Sequence, residues 1–275
     1  MFAQSPAFPR PPGIIYRGRR LSSCEIHRSI DSVALFLEHA TSPKSPFVYL
    51  FAANHPKTVV AFYGALRAGF TVVLVEPDIG RLELEEMIQH TPPAFSIRPD
   101  RSTLSFDHAR EIHMHPEAEV EDAELGGVAV LIYTSASDGH PKAAMLTYDN
   151  LTANAEAVAH CEELSAESVC CSLLPFSHAF GLQTGILGPG AANATTVIED
   201  MGSLHGLRSF PAVLQRHHVT NIYTVPVVYF LLMKASNLRE ASGRVKSFVS
   251  GAYRLPESVF HGFLAHTGRE IHEGY

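Results

Sequence analysis

Two short apolar runs, FVYLFAA (47–53) and FTVVLVE (70–76), constrain this chain more than any other feature. Neither alternates with polar residues, as a strand with one wet face would, so both read as strands covered on both sides. Between them Asn54 stands as a helix cap, Pro56 falls in the first turn, and the helix ends before Gly69. Strand, helix and strand at this spacing form a βαβ unit, whose two strands run parallel. The fold class that follows is α/β.

The same alternation continues. Ser22 and Glu25 form a capping box, and Ile26, Ile30, Val33 and Leu37 recur behind it at helical spacing. VAVLIYT (128–134) reads as a central strand, and a helix runs from after Thr147 to about Glu163. Strands are expected over 168–174, 195–198 and 220–225 with helices between them. A last strand, VKSFVS (245–250), and a helix from about Pro256 follow. The proline-rich residues 1–13 read as an extended arm, and the acidic, poorly periodic segment 98–127 as a connector over the surface. The expected organisation is two parallel-sheet α/β subdomains with no internal repeat: 14–175, which holds a loop at 133–143, and 176–275.

A chain of 275 residues with 46% hydrophobic composition can bury such cores. Charged residues are only 18%, and 28 acidic against 21 basic residues leave a net charge of −7. That sign argues against nucleic acid or an anionic membrane as partner. The longest apolar run, IYTVPVVYFLLM (222–233), is too short to span a bilayer and contains a proline; it reads as a buried strand entering a helix. The amino terminus shows no secretory signal, so a cytoplasmic location is expected. Cys24, Cys161, Cys170 and Cys171 lack metal-finger spacing and are expected as reduced core thiols. His113 and His115 share a face if extended but have no evident third ligand, so no metal site is assigned. His217 and His218 are expected at a helix end, where imidazole suits the dipole.

The chemistry concentrates in YTSASDGHPKAAMLT (133–147). A hydroxyl-rich turn at the end of a strand can aim successive backbone N–H groups at an anion, and Lys142 can neutralise outer phosphates. It is not a Walker loop: GHPKA has neither the four-residue gap before Gly-Lys nor a Ser or Thr after the lysine. GPGAAN (188–193) lacks the third glycine of a dinucleotide fingerprint and reads as a turn. Ser250 before Gly251 lacks the Gly-x-Ser-x-Gly elbow, which disfavours an esterase. His178 is either a catalyst or a hydrogen-bonded histidine behind the site, because no sequence neighbour supplies an acid to orient it. Phe176 and Phe180 either border that site or pack in the core.

The extended stretch YTSASDGHPKAAMLTYDNL resembles the signature of the adenylate-forming superfamily (acyl-CoA synthetases, peptide-synthetase adenylation domains, luciferases), Tyr-Thr-Ser-Gly-Ser/Thr-Thr-Gly-x-Pro-Lys-Gly. Three further stretches resemble that family's motifs in order. LPFSHAFGL (174–182) is similar to its segment beside the acyl pocket, SGAYRLP (250–256) to its adenine-binding turn, and EGY (273–275) to the start of Gly-Tyr-Gly-x-Thr-Glu. The opening stretches YRGRRLSSCEIHRSIDSVALFL and HPKTVVAFYGALRAGFTVVLVEPD resemble the family too.

The resemblance implies the adenylate-forming large domain, incomplete at the carboxyl end, since the family's Thr-Glu, ribose-binding aspartate and small domain with its catalytic lysine come later. It implies that a carboxylic acid attacks the α-phosphorus of ATP, with Mg2+, and that the acyl group then passes to the thiol of CoA or of a carrier-protein phosphopantetheine. That is the reaction of an AMP-forming acid–thiol ligase of the kind used in fatty acid metabolism; the 275-residue chain alone is expected to be poorly active or inactive. By the same resemblance Thr134, Ser135, Ala136, Ser137, Asp138, Gly139 and Lys142 form the phosphate loop. Gly251, Ala252, Tyr253 and Arg254 line the adenine, Tyr275 stacks on it, and His178 borders the meeting of carboxylate and α-phosphate. His178 and Lys142 are the catalytic candidates.

Asp138 replaces a threonine of the family pattern, an acceptor in place of a donor. Either it faces the triphosphate, where a like-charge pair about 4 Å apart costs on the order of 4 kcal/mol at an effective dielectric of about 20, or it faces away or reaches the phosphates through magnesium. Ala136 and Ala143 replace glycines, and each methyl adds about 1 kcal/mol of strain wherever the loop needs positive φ. The second glycine of the adenine turn is also gone. The alternative from another class is therefore a degenerate relative that binds an acyl or adenylate ligand, or a protein, without catalysis.

Overall fold

Parallel pairing dominates two separate sheets. The structure, a computed structural model, describes residues 8–40, 44–120, 125–134, 142–199 and 204–274. In chain order come β1 (Gly13–Tyr16), β2 (Arg19–Leu21), α1 (Ser23–His39), β3 (Phe47–Phe51), α2 (Pro56–Arg67), β4 (Thr71–Val75), α3 (Arg81–His90) and β5 (Phe95–Ile97). α4 (His108–Glu111), β6 (Ile112–Met114), β7 (Val128–Thr134), β8 (Lys142–Thr147), α5 (Tyr148–Cys161) and β9 (Val169–Ser172) follow. Then come α6 (Ala179–Leu182), a π-helical turn (Gln183–Leu187), α7 (Gly188–Ala191), β10 (Thr195–Ile198), α8 (Leu204–His217), β11 (Asn221–Thr224) and α9 (Pro226–Leu232). α10 (Leu238–Ala241), a 3-10 turn (Ser242–Arg244), β12 (Ser247–Ser250), α11 (Glu257–Thr267) and β13 (His272–Glu273) complete the order.

The first sheet runs β6-β5-β3-β4-β7-β8, parallel except at its two outer strands. The second runs β13-β12-β11-β9-β10-β1-β2, parallel except for β2. Contacts divide the chain into Met1–Pro11, Ser22–Ala153 and Phe176–Ala179 as one unit, and Pro12–Leu21, Asn154–Pro175 and Phe180–Tyr275 as the other. The expected span 14–175 thus loses both ends to the second unit. β1 pairs with β10, and β9 with β10 and β11. Backbone partners, and not nearness in sequence, decide a strand's sheet.

In the first unit the capping box forms as read: Ser22 Oγ accepts from Glu25 N at 3.2 Å, and Glu25 Oε2 accepts from Ser22 N at 2.8 Å. α1 buries Ile26, Ile30, Val33, Ala34 and Leu37. It packs closely on α2 at Gly64, where a Cβ would lie 2.7 Å from Val33 Cγ1. The cap of α2 is His55, whose Nδ1 accepts from Lys57 N at 3.2 Å, and not Asn54. The part of the expected connector at 98–120 is also more ordered than its composition suggests. It forms α4 and the antiparallel β6, and Glu111 is buried against Lys57 Nζ at 2.8 Å. The expected arm docks from Phe8 onward: Phe8 is buried edge-on against Tyr63 and Tyr148, and Arg10 O accepts from Tyr63 Oη at 3.0 Å.

In the second unit Cys171 joins the larger core with Ile222, Phe248, Tyr229 and Phe263, while Cys170 joins Leu174, Tyr223 and Val249 in the smaller one. Adjacent strand residues point to opposite faces, which keeps these two thiols apart. All four cysteines are free, but only Cys170 and Cys171 are core thiols; Cys24 and Cys161 lie exposed on helices α1 and α5, against the expectation. Among the described residues no helix is long and apolar enough to cross a membrane.

Candidate functional site

The loop residues Ser135, Ala136, Ser137, Asp138 and Gly139 lie outside the described residues, as does Tyr275. The two residues that frame the loop are described. Thr134 and Lys142 are the last cross-strand pair of the β7–β8 hairpin, and Thr134 Oγ1 donates to Lys142 O at 3.3 Å. Both are exposed. The sequence reading missed β8, because KAAMLT carries no buried apolar run; Ala143 lies in this strand and has no positive φ, so its methyl adds no strain there. The hairpin is anchored beneath by one hydroxyl. Thr91 Oγ1 lies 2.9 Å from Tyr133 Oη and 2.7 Å from Tyr49 Oη, and donates to Met87 O at 3.1 Å. Burial raises the pKa of both phenols, so they stay neutral hydrogen-bonding groups.

His178 has the orienting acid that its sequence neighbours do not supply. Glu76, one residue past the carboxyl end of β4, places Oε1 2.8 Å from His178 Nε2. The backbone of the same segment is tethered by Asn54, whose Oδ1 accepts from Phe176 N at 2.9 Å. Phe176 is buried within this unit, whereas Phe180 belongs to the other.

The adenine-turn candidates lie in the second unit. Gly251 N donates to Thr224 O at 3.1 Å, and a Cβ at Gly251 would lie 2.5 Å from Phe180 Cε1 and 3.0 Å from Gly274 O. Only glycine fits there. Ala252 is left-handed, with φ 64°, a conformation in which its methyl is strained. Tyr253 is 75% exposed and Arg254 is exposed, so both present side chains outward from the turn. Leu255 N donates to Glu273 Oε1 at 2.8 Å, joining this turn to β13.

Thr224 and Ser250 stand opposite one another in the β11–β12 register, and both hydroxyls are fully buried without a hydrogen-bond partner. An unpaired buried hydroxyl costs about 1–3 kcal/mol, so the pair is an energetic liability at the ends of these strands. Parallel α/β sheets bind ligands at the carboxyl ends of their strands, where Glu76, Thr224 and Ser250 all lie. That rule is the signal that could have found them. For magnesium, no group of three His, Cys, Asp or Glu side chains among the described residues is placed to hold a metal. His115 Nε2 instead lies 2.8 Å from Ser96 Oγ.

A sequence profile of the family described as "AMP-binding enzyme" matches residues 2–275. The long-chain-fatty-acid–CoA ligase of Bacillus subtilis (strain 168) is 26% identical, over 98% of this chain and 57% of its own length. The feruloyl-CoA synthase of an Amycolatopsis species is 26% identical, over 93% of this chain and 54% of its own. Among solved structures, apo MatB from Rhodopseudomonas palustris superposes with a TM-score of 0.80 at 20% identity, over 97% of this chain and 57% of MatB. The fatty acid AMP ligase from Legionella pneumophila gives 0.74 at 17% identity, over 94% and 50%. At such identities the likeness of structure is one of fold. This chain spans about half the length of the curated relatives it matches. The chain belongs to the AMP-binding enzyme family.

Proposed function

We propose that this chain carries the nucleotide-handling and acid-handling part of an enzyme that activates a carboxylic acid with ATP. The observation that carries the reading is the family match along residues 2–275, which takes in the loop framed by Thr134 and Lys142, the His178 segment and the Gly251 turn. Two relatives are named as CoA ligase and CoA synthase, and MatB has been crystallised with ATP bound.

In this reading a carboxylate oxygen of the acid attacks the α-phosphorus, the bond to the bridging oxygen breaks, and pyrophosphate leaves. Such a displacement needs alignment and charge stabilisation more than covalent help. Thr134, Ser135 and Ser137 donate to the β- and γ-oxygens, with Ala136, Asp138 and Gly139 completing the loop and Lys142 as its mobile positive charge. Gly251, Ala252, Tyr253, Arg254 and Tyr275 surround the adenine, and His178 meets the acid. Magnesium would arrive with the triphosphate, whose oxygens are its natural ligands, and would neutralise charge there. The acyl group then passes to a thiol, of CoA or of a carrier protein, in a cytoplasmic setting.

The test is to incubate the complete protein that carries this chain with ATP, Mg2+, hydroxylamine and a panel of short, dicarboxylic, aromatic and long-chain acids. Acyl hydroxamate with at least one acid is expected. Phosphate release that ignores added acid would point to a plain triphosphatase instead. One observation favours the second reading, a binding module without catalysis: the strained Ala252 in the adenine turn. In that case Asp138→Thr leaves the protein inert.

A further inference from the structure

We infer that Glu76 is a positioning residue for His178, fixing which ring nitrogen faces the acid being activated. The inference rests on the carboxylate-activating reading above. Glu76 Oε1 lies 2.8 Å from His178 Nε2. An ionised carboxylate only accepts, so an approach this close requires a proton on Nε2. Nδ1 is then the nitrogen left to meet a ligand, as lone pair in the neutral ring and as N–H in the imidazolium.

The segment is held so that this contact sets the ring. Phe176 is buried at 1% exposure, and its N–H is tied to Asn54 Oδ1 at 2.9 Å. Asn54 and Glu76 follow the neighbouring parallel strands β3 and β4, which are joined at this end by Ala52 N donating to Val75 O at 2.9 Å. Backbone and ring of the histidine segment are thus gripped from adjacent strand ends of one sheet. The side chains of His178 and Glu76 stay 55% and 54% exposed, so a ligand can reach the ring. An ion pair this exposed adds little to stability. Its removal therefore acts on ring orientation and leaves folding intact.

Two assays test this on Glu76→Ala, Glu76→Asp and His178→Ala. The first needs no activity: 15N NMR of the imidazole in the neutral range of pH. His178 should hold its proton on Nε2 in the wild type and in Glu76→Asp, and show both tautomers in Glu76→Ala. The second is hydroxamate formation. Glu76→Ala should lower kcat about tenfold or more with the KM for ATP unchanged, and Glu76→Asp should recover part of it. Adding Glu76→Ala to His178→Ala should cost nothing further, because the two act as one unit. Identical tautomer populations in wild type and Glu76→Ala would overturn the inference, as would full kcat in Glu76→Ala beside an impaired His178→Ala. If the wild type makes no hydroxamate from any acid, the activation reading fails, and the tautomers alone decide whether Glu76 sets the ring.

Discussion

Lys57 and Glu111 form a buried ion pair whose removal should be asymmetric. Their side chains are 2% and 3% exposed, with Nζ 2.8 Å from Oε1. Lys57 Nζ also donates to Thr103 Oγ1 at 3.0 Å, and Glu111 accepts from Asp107 N and Asp100 N, each at 2.8 Å. The carboxylate thus ties the turn around residue 100 and the start of α4 to α2. Lys57→Met keeps the volume but strands that carboxylate in a site closed to water. The expected cost is about 3–5 kcal/mol, the range for breaking a buried pair from one side.

Lys57→Met/Glu111→Gln removes both charges while the amide oxygen still accepts one of the two backbone N–H groups. The other is left unpaired, so the double variant should cost only about 1–3 kcal/mol. The second substitution should therefore restore stability lost to the first. Urea unfolding followed by far-UV circular dichroism measures this; the chain has no tryptophan to report by fluorescence. The reasoning fails if Lys57→Met costs under about 1 kcal/mol, or if the double variant is less stable than the single.

Three further outcomes are expected. Ala252→Gly should stabilise the protein by about 1 kcal/mol, because glycine adopts φ 64° without strain; a loss of stability would show that this turn is not strained. Lys142→Ala should weaken ATP binding about tenfold or more and Asp138→Thr should tighten it, both read by calorimetry; an unchanged affinity in both would remove the loop from the phosphate site. Burial, then Arg216, His218 and Arg20, pushes the His217 imidazole below its ordinary 6.5. The unfolded chain takes up a proton near that pH that the folded one declines, so stability from this group is full above 6.5 and is lost as pH falls below it. The neighbouring Glu199, raised by its own burial, acts oppositely, losing stability as pH rises above its ordinary carboxyl range. His217→Gln should thus flatten the fall in stability just below pH 6.5, and an unchanged slope would contradict the assignment.

The longer interior strands were legible because burial on both faces writes them as apolar runs, whereas the short interior strands β1 and β5 were not read. Phe47–Phe51 and Thr71–Val75 are buried at every position. The edge strands were not. RRL, IHM and KAAMLT have exposed faces and take their identity from a partner strand, which no local window contains. The same holds for the site. Motif spacing marked Thr134, Lys142, His178 and Gly251, yet Glu76 and Asn54 reach the histidine segment from strand ends far away in sequence. The orphaned hydroxyls of Thr224 and Ser250 become visible only when β11 and β12 are paired.

Exchange of labelled pyrophosphate into ATP by the complete protein isolates the first half-reaction and needs neither CoA nor a carrier protein. The account predicts exchange that depends on an added carboxylic acid and falls by tenfold or so in Lys142→Ala. Exchange or phosphate release indifferent to acid, or none with any acid of the panel, would contradict it.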